Sequence, residues 1–277
     1  MPELPEVEYA ATVARGAAVG RTIERVRVMH ASQRRSLPPS AARRAAGSRV
    51  AALERRGKYQ LIRLTSGRTL VVHFRLNGDW DVMPPGAPLP VHARVVLEFT
   101  DGTALALVDP RALATITLAE PGAALLPDLG PEANTRDFSA RWLGEWFRSR
   151  RGPVKPALLD QRAVAGIGNI YASEALWYAG IDPRTPARSL DVTALRRLVL
   201  AVKRAMRRAL LHPERYYNAG GVSDAVRFNV YDREGRPCRR CGAPIARLVQ
   251  AGRSTYLCHA CQPRGKLRRR GRLVAGC

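Results

Sequence analysis

The chain has 277 residues, and its 46 lysine and arginine residues outnumber its 23 aspartate and glutamate residues, which gives a net charge of +23. This length suffices to bury a core and favours about two domains. The sequence has no apolar run long enough to span a bilayer, and its start is acidic and contains proline, so we expect neither a membrane protein nor a signal peptide. The charge favours a polyanionic partner, nucleic acid before anionic membrane, although a merely soluble basic protein also fits it.

The first candidate site is the N-terminus itself. Pro2 is small and follows Met1, and removal of Met1 would leave proline with a free secondary amine. An α-amine has a pKa of about 7.7–8.0, against about 10.4 for lysine. A useful fraction is therefore unprotonated near neutral pH and can attack an aldehyde-level carbon to form an iminium intermediate. Glu3 comes next and could act as a general acid or base.

Secondary-structure patterns follow in chain order. Pro5 and the acidic residues after it suit an ordinary helix start, and a helix is predicted over residues 5–15 with Gly16 closing it. Apolar alternation and short apolar runs predict five strands: residues 21–30, Tyr59–Leu64, Thr69–Phe74, Arg94–Phe99 and Leu105–Val108. Several short strands with turn signals predict a sandwich or barrel with a helix in front.

Proline and glycine residues break any regular element in residues 121–134, where we place a linker. Helices are predicted after it. One has a set of aromatic residues at helical spacing that is typical of a core: Phe138, Trp142, Trp146 and Phe147. A longer helix has an apolar inner face: Leu195, Leu198, Val202, Met206 and Leu210. Its other face is entirely basic, which fits a solvated surface and a DNA contact equally well: Arg196, Arg197, Lys203, Arg204, Arg207 and Arg208.

Four of the five cysteines form two CxxC pairs, Cys238 with Cys241 and Cys258 with Cys261. Two such pairs suit a tetrahedral zinc ion held by four thiolates, and they favour a reducing compartment over disulfides. Four protein ligands leave no open position, so one structural ion is predicted. It would stabilise a hairpin of Leu248–Val249 and Ser254–Leu257, which is too small to fold alone.

Two further segments suit the binding of phosphate. Gly166 and Gly168 permit a tight turn between two helices, and the amides at the next helix start would form an anion-binding nest. Packing of one helix on the other through glycine is the alternative explanation. Arg253 lies at the presumed turn of the cysteine hairpin, where its guanidinium could bind a phosphate through two hydrogen bonds.

Several strings resemble, in order, those of the formamidopyrimidine-DNA glycosylase family, which comprises bifunctional glycosylase/lyases that repair oxidised DNA bases. They are PELPEVE at the start, Arg55–Tyr59, Val164–Glu174 and the two CxxC pairs. The resemblance runs from Pro2 to about Gln262. It implies a two-domain α+β fold: an N-terminal β-sandwich with flanking helices (1–120), a helix–two-turn–helix domain (135–226), a zinc finger (227–263) and a disordered basic tail (264–277).

The resemblance also implies roles for single residues. Pro2 is the nucleophile and Glu3 moves protons. Lys58 assists β-elimination, for which a solvated loop lysine is the alternative, and Arg253 binds phosphate and helps the second elimination. DNA contacts are implied for His92, Arg111, Arg150, Lys155, Asn169 and Tyr171, and Glu174 supports the active site.

The chain departs from the family pattern in two places. Leu76, Arg111 and Leu113 stand where the formamidopyrimidine branch commonly inserts a Met, an Arg and a Phe into the gap left by the flipped base. Aliphatic side chains can still fill such a gap. The segment between Leu211 and Phe228 is also short for the loop that usually covers a flipped purine. The resemblance therefore implies a preference for oxidised purines less directly than it implies the glycosylase and lyase chemistry.

The resemblance thus implies a base-excision-repair enzyme that excises oxidised bases, with 8-oxoguanine and formamidopyrimidines favoured, and nicks the abasic site by β,δ-elimination. Double-stranded DNA is the expected partner, zinc the expected cofactor, a monomer the expected state, and the cytoplasm at the nucleoid the expected location. Two alternatives remain open. One is an endonuclease VIII-like enzyme for oxidised pyrimidines, and the other is a non-catalytic protein that binds damaged DNA.

Overall fold

The computed structural model describes residues 2–212 and 228–264. The described residues form two compact units: residues 2–130 with 209–212, and residues 131–208 with 228–264. The boundary at Gly130 lies inside the predicted linker. Met1, most of the Leu211–Phe228 segment and the basic tail from residue 265 onward lie outside the described residues, so the predictions made for them stay predictions. No helix within the described residues is long and apolar enough to cross a membrane.

The first unit contains two four-stranded antiparallel sheets. One has the strand order β1-β6-β7-β5, with the bounds Ile23–Val28, Ala93–Phe99, Ala104–Val108 and Asp79–Met83. The other has the order β2-β3-β4-β8, with the bounds Val50–Arg56, Tyr59–Leu64, Thr69–His73 and Thr115–Ala119. Three helices flank them: α1 (Leu4–Ala18), α2 (Ala31–Ser36) and α3 (Pro39–Ala45).

One hydrophobic core joins both sheets and α1. It takes inward residues from the first sheet, such as Val95 and Leu105, from the second, such as Ile62 and Val72, and from the apolar face of α1. Side chains that alternate inward and outward along paired strands bury one face of each sheet against the other. The predicted β-sandwich with a helix in front is therefore confirmed.

Three strands escaped the sequence prediction, namely β2, β5 and β8. β2 carries Ala, Glu and Arg, which are common in helices, and a register shift near its start interrupts its alternation. β5 holds two aspartates, which are depleted in strands. β2 forms because a two-residue turn pairs it with β3, and β5 forms because it pairs with the distant β7; in both strands, pairing and burial against the core outweigh local propensity.

Helix α1 is longer than the sequence predicted. It runs through Gly16 to Ala18, because Ala14 and Ala18 are both fully buried and continue the apolar face by one more turn. The chain reverses only at Gly20, which has a φ of +86° and so takes the left-handed conformation that glycine adopts at little cost. The predicted closure at Gly16 was therefore wrong.

The second unit is helical. Its helices are α4 (Ala140–Phe147), α5 (Val154–Leu159), α6 (Asn169–Ala179) and α7 (Val192–Leu211), with a short 3₁₀ turn at Ala187–Ser189. Ser139 caps α4 by accepting a hydrogen bond from the Trp142 amide, and Asp191 accepts one from the Ala194 amide at the start of α7. Of the aromatic residues predicted as core, Phe138 and Phe147 are buried, whereas Trp142 and Trp146 are only half-buried and stack on each other.

The cysteine hairpin has the predicted form. Strands β9 (Ala246–Gln250) and β10 (Arg253–Leu257) pair antiparallel. Ala251 and Gly252 connect them, with φ values of +47° and +71°, as in a type I′ turn. A small core holds the hairpin to the helical unit and includes Trp177, Val230, Ile245 and Tyr256.

Candidate active site and metal centre

The start of α1 fixes the position of Glu3. Glu3 precedes the helix as its cap residue, and its carboxylate accepts the Glu6 amide while the Glu6 carboxylate accepts the Glu3 amide at 2.9 Å. This reciprocal capping box satisfies two amides that the helix leaves without partners. Glu3 is only 1% exposed, and Pro2 before it is half-buried. A buried glutamate with a fixed carboxylate thus follows Pro2 directly in the chain. Sequence analysis treated Glu6 only as a helix-start residue and missed this second function.

Lys58 occupies the two-residue turn between β2 and β3, after Gly57 with a φ of +58°. Glycine in the first position of such a turn fits type II′ geometry, which suits tight hairpins. Lys58 is 8% exposed, which does not fit the alternative of a solvated loop lysine. Burial, then the charges of Arg75 and Lys58, lower the pKa of His73 to about 4. A neutral imidazole therefore neighbours the Lys58 ammonium at pH 7.

A second loop carries Arg111 and Leu113, and Asp109 determines its shape. The fully buried Asp109 carboxylate accepts the amides of Arg111, Leu113 and Ala114 at 3.0, 2.6 and 2.7 Å. The Asp109 amide in turn donates to the carbonyl of His92. The structure therefore brings together His92, Arg111 and Leu113, whose side chains are all exposed.

Leu76 lies on a separate tight turn between β4 and β5. The Arg75 amide donates to His73 Nδ1 at 3.0 Å, and the Gly78 amide donates to the Phe74 carbonyl at 3.0 Å. A Cβ at position 78 would lie 2.9 Å from the Phe74 backbone, so only glycine fits there without a shift. Leu76 is half-buried on a turn that has little freedom to move.

The helix-turn segment of the second unit places Asn169 at the start of α6, after Gly168, where the helix dipole favours anions. Lys155 is 1% exposed, and its ammonium donates to Asn169 Oδ1 at 2.6 Å, to Thr255 Oγ1 at 2.7 Å and to the Ser254 carbonyl at 3.0 Å. The predicted DNA-contact residue Lys155 thus connects α6 to β10. Asn169 Nδ2 donates to the same Ser254 carbonyl.

Three other predicted residues differ in exposure. Arg253 follows the hairpin turn and has an exposed side chain. It directly precedes Ser254, whose carbonyl accepts hydrogen bonds from Lys155 and Asn169. Tyr171 is 1% exposed, and its ring meets Phe228 edge-on. The Arg150 guanidinium stacks over the Trp146 ring at 4.6 Å and lies 3.8 Å from the Asp160 carboxylate. Trp146, which sequence analysis assigned to the core, therefore holds a predicted phosphate contact.

The four paired cysteines converge at one point. Their sulfur atoms all lie within 4.8 Å of one another, and three Sγ–Sγ distances are 3.8, 3.5 and 3.5 Å. A tetrahedral zinc ion with Zn–S bonds of about 2.3 Å would place its sulfurs about 3.8 Å apart. The donor set and its spacing therefore fit one four-thiolate zinc ion, as the sequence predicted.

Family models match the chain in three consecutive parts: the formamidopyrimidine-DNA glycosylase N-terminal domain at residues 1–116, its H2TH domain at 129–216 and the FPG and IleRS zinc finger at 235–264. The chain belongs to the formamidopyrimidine-DNA glycosylase family. It is 42% identical to the formamidopyrimidine-DNA glycosylase of Chloroflexus aggregans, with 95% of this chain and 98% of that protein covered. It is 41% identical to that of Geotalea uraniireducens, with 95% and 100% covered.

Solved structures agree with this family assignment. The MutM (Fpg) protein of Thermus thermophilus matches with a TM-score of 0.81 and 34% identity over 95% of this chain and 100% of that one. A Lactococcus lactis Fpg variant in complex with DNA that contains Fapy-dG matches with a TM-score of 0.85 and 28% identity over the same shares. The chain is accordingly a base-excision-repair enzyme of the bifunctional glycosylase and abasic-site lyase class, with one zinc ion held by its finger.

Glu174, which the family resemblance assigned a supporting role, is a buried carboxylate held entirely by N–H groups. It is 3% exposed and accepts the amides of Asn229, Val230 and Tyr231 at 2.8–3.1 Å and the Asn229 side-chain amide at 2.6 Å. This cradle attaches the segment before the zinc finger to α6. Because the donors are hydrogen-bonded to an ionised acceptor, each bond is stronger than a neutral one.

We expect Glu174→Gln to loosen this segment, because a glutamine amide presents N–H groups to N–H groups. An unsatisfied buried donor costs about 1–3 kcal/mol, so amide exchange at residues 229–231 should accelerate by roughly one to two powers of ten. Hydrogen exchange with mass spectrometry measures this. Glu145→Gln is the control, because Glu145 is exposed and, among the described residues, its carboxylate forms an ion pair with Arg141 alone. Equal protection in parent and Glu174→Gln would contradict the role of the cradle.

Proposed function

We propose that this glycosylase excises oxidised purines from double-stranded DNA, with Pro2 as the nucleophile. The observation that carries the proposal is the placement of Pro2 directly before a buried Glu3 whose carboxylate the capping box orients. Relatives support the choice of lesion: solved complexes of family members contain DNA with Fapy-dG, an abasic site or carbocyclic 8-oxo-G. The proposed setting is the cytoplasm, at the nucleoid.

The proposed reaction begins with rotation of the damaged nucleotide out of the stack, since the enzyme cannot otherwise reach its sugar. The Pro2 nitrogen attacks C1′, the bond from C1′ to the base breaks, and the base leaves with the electron pair. Glu3 protonates the opening sugar, which leaves an iminium between Pro2 and C1′. β-Elimination then expels the 3′ phosphate with assistance from Lys58, and δ-elimination expels the 5′ phosphate with assistance from Arg253.

Phosphate contacts supply most of the proposed DNA affinity, because the protein is strongly cationic. We assign DNA contacts to His92, Arg111, Arg150, Lys155, Asn169 and Tyr171, and among them phosphate contacts to Arg150, Asn169 and Tyr171. Arg253 after the hairpin turn has an exposed side chain, and Asn169 is half-buried at a helix start, where the helix dipole favours anions. Lys155 and Tyr171 are buried, so we assign them a DNA contact only through the groups they orient. Zinc holds the finger in shape and takes no part in the reaction.

The test is a panel of duplexes, each with one defined lesion and each possible opposite base, treated with the enzyme and borohydride. Reduction of the iminium attaches an active lyase covalently to the DNA. Faster excision of oxidised purines than of oxidised pyrimidines would support the proposal. The reverse order would indicate an endonuclease VIII-like enzyme, and binding without trapping would indicate a non-catalytic damage-binding protein.

Glu3→Gln is expected to slow base excision by roughly 10²–10⁴-fold, the usual contribution of a positioned proton donor. Glutamine keeps an oxygen acceptor for the Glu6 amide, so the helix start should survive. Cleavage at a preformed abasic site should fall less, because such a site has no base to expel. Single-turnover rates on the two substrates measure the difference, and equal losses would contradict the role assigned to Glu3.

Arg111→Ala is expected to flatten discrimination between opposite bases, because Arg111 would supply most of the polar contact to the unpaired partner base. Leu113→Phe should strengthen binding to lesion duplexes, since base–aromatic stacking contributes about 1–3 kcal/mol and Leu113 has no ring. The Asp109 cradle holds backbone amides, so the loop should tolerate both changes. Single-turnover excision opposite each base decides the matter. Unchanged selectivity in Arg111→Ala would reject the wedge assignment of Leu76, Arg111 and Leu113.

A further inference from the structure

Helix α7 presents a basic face that the proposed reaction does not use. Its 20 residues include six lysine and arginine residues and no acidic residue. Its apolar face is buried, whereas Arg196, Arg204, Arg207 and Arg208 are exposed. At 1.5 Å per residue, the span from Arg196 to Arg208 is about 18 Å. The exposed face of the helix therefore carries positive charge along its length and no acidic residue.

Two of these arginines are held by one aromatic side chain. The Arg204 guanidinium stacks over the Tyr178 ring at 4.6 Å, and Arg208 donates to the Tyr178 hydroxyl at 2.8 Å. Asn229 Nδ2 donates to the same hydroxyl at 3.0 Å. A guanidinium that stacks on a ring loses conformational freedom but keeps its N–H edges available for acceptors. Tyr178 thus orients these charges in advance.

The zinc finger adds a further charge to this patch. Arg240 lies between the cysteines of the first pair, and its guanidinium stacks over the Trp177 ring at 4.1 Å. The Trp177 and Tyr178 rings themselves meet edge-on at 5.0 Å. We call Arg204, Arg207, Arg208 and Arg240 the α7 patch. It combines one sign of charge with neighbouring aromatic rings.

Three of the four patch arginines are not ion-paired within the described residues, and the patch is remote along α6 from the helix start that carries Asn169. Arg204, Arg207 and Arg240 form no ion pair with any carboxylate of the described residues. Tyr178 is near the C-terminal end of α6, nine residues after Asn169, which corresponds to about 13.5 Å along the helix. The patch and the anion-binding helix start are therefore at opposite ends of α6.

We propose that the α7 patch binds the phosphate backbone of a second duplex segment while the lesion site holds the first. DNA carries one negative charge about every 1.7 Å of its axis, and such a polyanion complements a cluster of four positive charges with no acidic residue on α7. Two simultaneous DNA contacts would let the enzyme pass directly from one segment to another. The inference rests on the proposed function only in taking the first ligand, at the lesion site, to be a damaged DNA duplex.

The test compares two triple variants that each remove three positive charges. The patch variant is Arg204→Gln/Arg207→Gln/Arg240→Gln. The control is Arg34→Gln/Arg35→Gln/Arg43→Gln, whose arginines are exposed on α2 and α3 of the first unit. A labelled lesion duplex is bound first, and its dissociation rate is followed while undamaged duplex or poly-glutamate is added in increasing amounts. Zinc content and melting temperature verify that both variants fold.

Direct transfer makes dissociation depend on the concentration of undamaged duplex. At a concentration of undamaged duplex that accelerates dissociation roughly tenfold in the parent and in the control, we expect the dissociation rate of the patch variant to change less than about twofold. Three results would each overturn the proposal. The patch variant could accelerate as much as the parent, or both triple variants could lose the acceleration equally. The third result is acceleration of the parent by poly-glutamate but not by DNA. The last result would indicate an acidic protein partner. Single-turnover excision by the parent is measured in parallel. If the proposed function is wrong, the parent excises no base, and this result is independent of the dissociation rates.

Discussion

Pro2→Gly is expected to lower covalent trapping on lesion DNA by at least about 100-fold, with DNA affinity nearly unchanged. A glycine amine is primary and lacks the ring that fixes the proline nitrogen ahead of Glu3. A loss of orientation of about 1 Å at a reacting centre costs about that factor. Affinity should persist because it comes from phosphate contacts on other residues. Borohydride trapping and equilibrium binding on the same duplex measure the two effects separately.

The matched control for this experiment is Pro5→Ala, which removes a proline from the first turn of the same helix. Alanine is a good helix former, so this variant should trap DNA like the parent. Mass spectrometry of each protein establishes whether Met1 is present. Trapping at the parent level by a protein that retains Met1 would exclude Pro2 as the nucleophile, whatever the glycine variant does.

Loss of the zinc ion is expected to abolish cleavage through the shape of the finger. The free energy of zinc binding to four thiolates is about 10–16 kcal/mol at pH 7, far more than a two-stranded hairpin can supply alone. Without the ion, β10 loses the placement that lets Lys155 bind Thr255 and the Ser254 carbonyl. Arg253, next along the strand, would lose its position with them.

Cys258→Ser tests this expectation, because Cys258 is fully buried and its thiol is one of the four donors. Cys277→Ser is the matched control, since the sequence places that thiol outside both pairs. Zinc content, exchange of the β9 and β10 amides, and cleavage of lesion duplexes are measured for each. A metal-free Cys258→Ser protein with normal cleavage would show that the finger does not need zinc for its function.

The strands that the sequence predicted are those with strong local signals. Tyr59–Leu64 has the predicted bounds, and β4, β6 and β7 differ by one residue at one end. Each has apolar side chains that fill the sandwich core, so local pattern and tertiary burial agree. β2, β5 and β8 lack that agreement. β2 pairs with the adjacent β3 although its own residues favour a helix, and β5 and β8 pair with β7 and β4, which lie far along the chain.

By itself, the sequence determined the zinc ligands, the N-terminal Pro-Glu pair, the two glycines of the helix turn and the family. These features depend on residue type and short spacing, which a sequence displays directly. Only the tertiary structure decided the burial of Lys58 and Lys155, the capping box of Glu3 with Glu6, the cradles built by Asp109 and Glu174, and the stacking of Arg204 and Arg240. The buried groups among these have been moved out of water by folding, so their energies depend on the partners that distant segments place beside them. The exposed Arg204 and Arg240 depend likewise on rings of a separate element, α6.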